Sequence, residues 1–180
     1  MTDAELRRIV AETSRLVAEN SREMRLRAER LDAQIGALNN KCGSYTEGMA
    51  LPSMTKLLQD KFHMEFIAPR ATRLKGGESM ELDVFAYNNG KRNQAVVVEV
   101  KSHAKMEAID QLKRIMKDFP KFYPEHRDKD LFGIIAAVDI SQEVAKKAMK
   151  EGFYVARISD ETFKLQVPAG FRAHSFKASK

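Results

Sequence analysis

Residues 94–101 read QAVVVEVK: four apolar residues in succession, then Glu99, Val100 and Lys101. A short valine-rich run of this kind is the pattern of a strand buried on both faces. Side chains alternate along a strand, so Glu99 and Lys101, two apart, project from one face. A carboxylate and an ammonium therefore emerge together from the end of an apolar strand. Upstream, residues 80–87 read MELDVFAY, a second strand with Asp83 between Leu82 and Val84. Asn88, Asn89 and Gly90 follow, residue types that accept the positive φ of a turn, so the two strands form a β-hairpin that can bring Asp83 beside Glu99. Burying such groups costs several kcal/mol each unless they are compensated. Two readings stay open: an ion pair at a strand end, which contributes little, or a site where a divalent cation balances the carboxylates.

Working outward, residues 45–62 (YTEGMALPSMTKLLQDKF) predict a helix disturbed at Pro52, and 64–69 (MEFIAP) a short strand stopped by proline. Residues 104–118 place Met106, Ile109, Leu112 and Met116 at helical intervals, and Phe119-Pro120 closes that helix. A buried strand over 131–138 (LFGIIAAV), a helix over 141–151 opened by Ser141, and a strand over 152–158 complete the series. The order helix, three strands, helix, strand, helix, strand predicts an α/β domain.

Residues 3–40 hold no proline and one glycine, Gly36, and read as one long helix. Its apolar stripe runs Leu6, Val10, Thr13, Val17, Asn20, Met24, Ala28, Leu31, Ile35, Leu38, a heptad-like seam with a stutter at Met24 and Ala28. Thr13, Asn20 and Ala28 dilute the seam, which leaves two readings: a helix packed on its own domain, or a coiled coil. A homo-oligomer formed through this helix is the expectation. Asn39, Asn40 and Gly43 break the pattern. The resulting division is a helical segment 1–42, a domain 43–166, and a basic tail 167–180 that lacks periodicity and is expected to be mobile.

The formal charge of +6 and pI near 9.4 favour a polyanionic partner. Cys42 is the sole cysteine, which excludes an intrachain disulfide and fits a reducing cytoplasm. No apolar signal segment or membrane-spanning run is legible, so no membrane partner is expected.

Asp83 and Glu99 offer hard oxygen ligands suited to Mg²⁺ or Mn²⁺, with no thiolate set or spaced histidine pair to favour zinc. A strand aspartate followed across a hairpin by Glu-x-Lys and then a helix resembles the PD-(D/E)xK nuclease superfamily, over roughly Tyr45 to Ile158. The resemblance implies a restriction-endonuclease-like mixed β-sheet flanked by helices, here following a predicted coiled coil. It further implies that Asp83 and Glu99 bind catalytic Mg²⁺ and that Lys101 assists the attacking water. Glu47, on the helix before the strands, looks like the family's additional metal-binding glutamate, and Gln111, on the helix after the motif, is similarly placed to a glutamine common there. Leu82 stands where the family name has proline. The implied function is metal-dependent hydrolysis of phosphodiester bonds, in DNA by expectation, through metal-activated water. The alternative is a non-catalytic nucleic-acid-binding or assembly module on the same fold.

Glu81 competes with Asp83 as a ligand, because it lies two residues away on the same face. His103 follows the motif directly and reads as a loop histidine, with phosphate contact or proton transfer as the alternative. His63, His126 and His174 share no spacing. Arg70, Arg73, Lys75, Lys91 and Arg92 cluster around the hairpin, either as solvated loops or as contacts to a nucleic-acid backbone.

Overall fold

The computed structural model of the chain describes residues 5, 12–24, 51–159 and 162–177. It divides into two compact units, Met1–Cys42 and Gly43–Lys180. In the first, residues 12–24 are helical, Arg15 and Glu19 form an i,i+4 pair at 3.8 Å, and Leu16, Val17 and Met24 are exposed. Most of the expected heptad seam lies outside the described residues.

The second unit is built on a six-stranded mixed sheet in sequential order: β1 (Phe66–Lys75), β2 (Glu78–Tyr87), β3 (Gln94–Ala104), β4 (Asp130–Ile140), β5 (Tyr154–Ser159) and β6 (Thr162–Leu165). The pairs β1/β2, β2/β3 and β5/β6 are antiparallel, while β3/β4 and β4/β5 are parallel. Parallel neighbours need crossovers, and helices α2 (Met106–Phe122) and α3 (Gln142–Lys150) supply them; helix α1, residues 51–62, precedes the sheet. This is the mixed sheet flanked by helices that the sequence implied.

The valine run explains the layering. Val96 and Val98 join Met54, Leu57, Leu58 and Phe62 of α1 on one face, whereas Val97 joins Ile109, Leu112 and Met116 of α2 and Val144 and Ala148 of α3 on the other. All three valines are fully buried, so successive side chains fill the two cores in alternation. Gly133 on β4 lets α2 approach closely: a Cβ there would stand 2.7 Å from both Met116 and Phe153.

Several boundaries differ from the sequence reading. Strand β1 continues past Pro69 to Lys75, because it is the sheet's edge and a proline there can turn its missing N–H outward. Helix α2 runs through Pro120 to Phe122; Phe119 and Phe122 are both buried and hold the last turn against the sheet. Strand β6 was not foreseen. Its Phe163 is buried, and the Phe163 amide donates to Ser53 Oγ of α1 at 2.5 Å.

The stretch expected to be a mobile tail is laid on the domain as far as Lys177. The His174 and Phe176 amides donate to Gly152 O and Leu131 O at 2.9 and 2.8 Å, and Phe176 stacks on Phe153. The aromatic residues at 171 and 176 supply apolar area that a reading by polarity and charge passes over.

Candidate active site

Strands β2 and β3 pair over only four steps, from Tyr87↔Ala95 to Val84↔Val98. The next step would join Asp83 to Glu99, and there the strands part: β2 follows β1 down to Glu78, while β3 follows β4 to Ala104. The fork frees backbone groups that a continuous ladder would consume. Asp83 occupies it, with Oδ2 accepting the Val100 amide at 2.7 Å.

The kink is visible in the packing. Met80, Leu82, Val84 and Ala86 share one alternation parity, yet the first two join the core under α2 and α3, and the last two join the core under α1. Across from Asp83, the β1 register skips Arg70, which takes a positive φ of 48°. For a non-glycine residue that conformation costs energy and is held only by its surroundings.

On β3 the Glu99 side chain is 3% exposed and the Lys101 side chain 34%, with Lys101 Nζ 2.6 Å from Glu99 Oε1. A buried carboxylate thus meets a cation that reaches solvent. Strand alternation puts Glu99 and Lys101 on the face shared with Val97, and the bond to the Val100 amide sets the Asp83 carboxylate between them along β3. The structure therefore brings these three together. Glu81 is exposed opposite Thr72, one pleat further along the diverging strand, so the fork favours Asp83 over it. Gln111 is half-buried in the first half of α2, which leaves directly from the carboxyl end of β3. Glu47 lies outside the described residues.

Among the described residues no group of three or more His, Cys, Asp or Glu is gathered as a metal cluster. Among the described residues the carboxylate donors at the fork are Asp83 and Glu99. Two carboxylates fit Mg²⁺, which keeps several waters and takes further ligands from substrate phosphate.

The basic residues around the hairpin divide by role. Arg73 pairs with Glu125 and lies 5.0 Å from the Tyr123 ring centroid, and Lys75 Nζ donates to Lys121 O at 2.7 Å; both fasten the β1–β2 hairpin to the end of α2 and the turn after it. Lys91 and Arg92 sit in the β2–β3 loop, at the far end of that hairpin from Asp83.

Lys129, absent from the sequence reading, is buried. Its ammonium donates to Asn88 O, Asn89 Oδ1 and Asn93 Oδ1 at 2.7–2.8 Å and fixes that loop. His126 packs among Phe85, Tyr87 and Tyr123, where burial pushes its pKa down. His63 is exposed with a positive φ of 54°.

His103 has a partner: its Nδ1 stands 2.6 Å from Asp139 Oδ2, and Arg157 Nη2 is 3.3 Å from Asp139 Oδ1. Asp139 and Arg157 were missed, although each follows an apolar strand core as Glu99 and Lys101 do.

The model of the family described as a domain of unknown function (DUF8196) matches residues 54–165, from the buried Met54 of α1 to the end of β6. The chain belongs to this family. The family region thus contains the whole sheet, the fork and all three of Asp83, Glu99 and Lys101. No curated protein matches the chain. Among solved structures it is similar to an EndoMS–dsDNA2 complex, at TM-score 0.40 and 19% identity over 62% of this chain and 45% of that one. It is also similar to a repair endonuclease from Pyrococcus abyssi, at TM-score 0.40 and 22% identity over 60% of this chain and 46% of that one. A third likeness is to EndoMS in apo form, at TM-score 0.37 and 20% identity over 59% and 44% of the two chains. This chain spans less than half the length of each. No helix among the described residues is long and apolar enough to cross a membrane.

Proposed function

We propose that the chain is a metal-dependent nuclease of the PD-(D/E)xK type that hydrolyses phosphodiester bonds, with DNA as the expected substrate. The observation that carries this reading is the fork between β2 and β3, where the Asp83 carboxylate binds the Val100 amide between the paired Glu99 and Lys101. Asp83 and Glu99 would hold Mg²⁺ or Mn²⁺, which, when bound, polarises the phosphate and makes a water more acidic.

The residues of the chain supply the rest. The Val100 amide fixes one Asp83 oxygen and with it the orientation of the carboxylate. Burial of Glu99 keeps its carboxylate in a dry setting where charge interactions are strong. Lys101, anchored on Glu99 and open to solvent, is placed to orient the attacking water and to stabilise charge that develops on the phosphoryl oxygens.

The test is cleavage of DNA and RNA with Mg²⁺ or Mn²⁺ by the full chain and by Asp83→Asn, Glu99→Gln and Lys101→Ala. Loss of a wild-type activity by orders of magnitude in every variant supports the reading. Activity unchanged in Asp83→Asn and Lys101→Ala removes it. Nucleic-acid binding without cleavage under any cation favours the non-catalytic module instead. Oligomerisation through residues 1–42 is a separate part of the proposal, and a monomeric mass in light scattering removes that part alone.

A further inference from the structure

The carboxyl ends of β3, β4 and β5 carry a second charged group beside the fork. The register places Lys101, Ala137 and Arg157 in one row across these strands, with His103 and Asp139 paired in the next row. Ala137 and Val155 belong to the same core as Val97, so Lys101 and Arg157 rise from the face that carries Glu99, and the contacts of Asp139 draw His103 to Arg157. Strand geometry spaces the backbones of Lys101 and His103 by roughly 7 Å, and those of Lys101 and Arg157 by roughly 10 Å. The intervening Ala137 is buried and small, so the row presents cations on either side of a low floor.

Asp139 binds both neighbours, His103 through Oδ2 at 2.6 Å and Arg157 through Oδ1 at 3.3 Å. The His103 side chain is 57% exposed and that of Arg157 39%, so as ion pairs they add little stability. What the carboxylate does achieve is orientation. With Nδ1 on Asp139, the other ring nitrogen of His103 points away from it, and the guanidinium of Arg157 retains further donors in a fixed plane. The carboxyl ends of parallel strands are where open α/β sheets receive ligands.

We propose that Arg157 and His103 receive the backbone phosphate next to the one held at Asp83, Glu99 and Lys101, with Asp139 as the positioning residue for both. This rests on the nuclease reading for the first phosphate and extends the site along one strand of the nucleic acid. The Arg157 guanidinium, part-neutralised by Asp139, and the free ring nitrogen of His103 offer donors that match the singly charged phosphate of a diester backbone.

The experiment is binding of a short fluorescein-labelled DNA duplex to the full chain, without divalent metal, by anisotropy over a range of salt concentrations. The proteins are wild type, Arg157→Gln, Arg157→Lys, His103→Gln, Asp139→Asn and, as a charge control, the exposed Lys146→Gln. Arg157→Gln is expected to weaken binding on the order of 10-fold and to lower the slope of log K against log salt by about 1, reflecting one lost phosphate contact. Arg157→Lys should recover the slope but not the full affinity, since the ammonium lacks the planar fork. Asp139→Asn should weaken binding while leaving a cation in place, which a purely electrostatic role for Asp139 would reverse in sign.

Wild-type affinity and slope in both Arg157→Gln and His103→Gln, with DNA bound and cleaved normally, overturn this proposal and leave the nuclease standing. A lowered slope in Arg157→Gln from a protein that cleaves nothing under any cation keeps the phosphate contact and removes hydrolysis. A wild type that binds no nucleic acid removes both.

Discussion

The Asp83 carboxylate accepts the Val100 amide at 2.7 Å, one residue beyond the last step at which β2 and β3 pair. A side chain therefore takes over a bond that the ladder would otherwise make, and the strands can diverge without orphaning that amide. Asp83→Asn keeps an acceptor oxygen and is expected to hold wild-type stability within roughly 0.5 kcal/mol, whereas Asp83→Leu leaves the amide unsatisfied and should cost about 1–3 kcal/mol. Urea unfolding of the two variants checks this, and equal losses would show that the bond does not support the fork.

Glu99 and Lys101 form a pair with one member buried and the other reaching solvent. Lys101→Met is expected to destabilise the domain by about 1–3 kcal/mol at neutral pH, because a buried charge loses its cation, and Glu99→Gln in the same background should restore most of the loss. A double-mutant cycle by denaturant unfolding reads the coupling. A coupling near zero would reduce the pair to a surface contact.

Lys129 is a structural cation at the opposite end of the hairpin. Its three bonds to Asn88, Asn89 and Asn93 close the β2–β3 loop, and Asn88 in turn accepts the Gln94 amide at 2.8 Å. Lys129→Met should cost about 3 kcal/mol or more, since three acceptors lose one donor together. Hydrogen exchange should show the loss concentrated at the Asn88 and Gln94 amides.

His126 predicts the acid response. Burial among aromatic rings holds its folded pKa below the ordinary 6.5, an effect that nearby Glu125 partly opposes. As pH falls, the unfolded chain takes up this proton first, so stability is full above about 6.5 and declines as pH drops toward the lower folded value. His126→Phe should flatten the dependence of Tm on pH in that window. Glu151 acts in a separate one: Lys113 and Lys147 hold its carboxyl at about 2, so its contribution is lost only as pH falls below its ordinary 4.5. Identical slopes near pH 6 in wild type and His126→Phe would contradict the assignment.

Much of this was legible in local pattern. The valine run announced a strand with two buried faces, and Asn88, Asn89 and Gly90 announced the hairpin. Edges were harder to read. Most of β1 is exposed or half-exposed and it contains a proline, and β6 has four residues, so neither carries the hydrophobic contrast that marks a central strand. The fork itself is a matter of register: alternation puts Asp83 and Glu99 on one face, but where the ladder stops depends on how β1 and β4 compete for the two strands. Asp139 and Arg157 escaped notice because a single charge after an apolar run acquires meaning only once strands are set side by side.

Whether Asp83 and Glu99 hold a divalent metal is read by calorimetric titration of Mn²⁺ into wild type and the Asp83→Asn, Glu99→Gln double variant. Saturable binding by wild type, lost in the double variant, is the expected result. Equal heats from both proteins, or none from either, would contradict it.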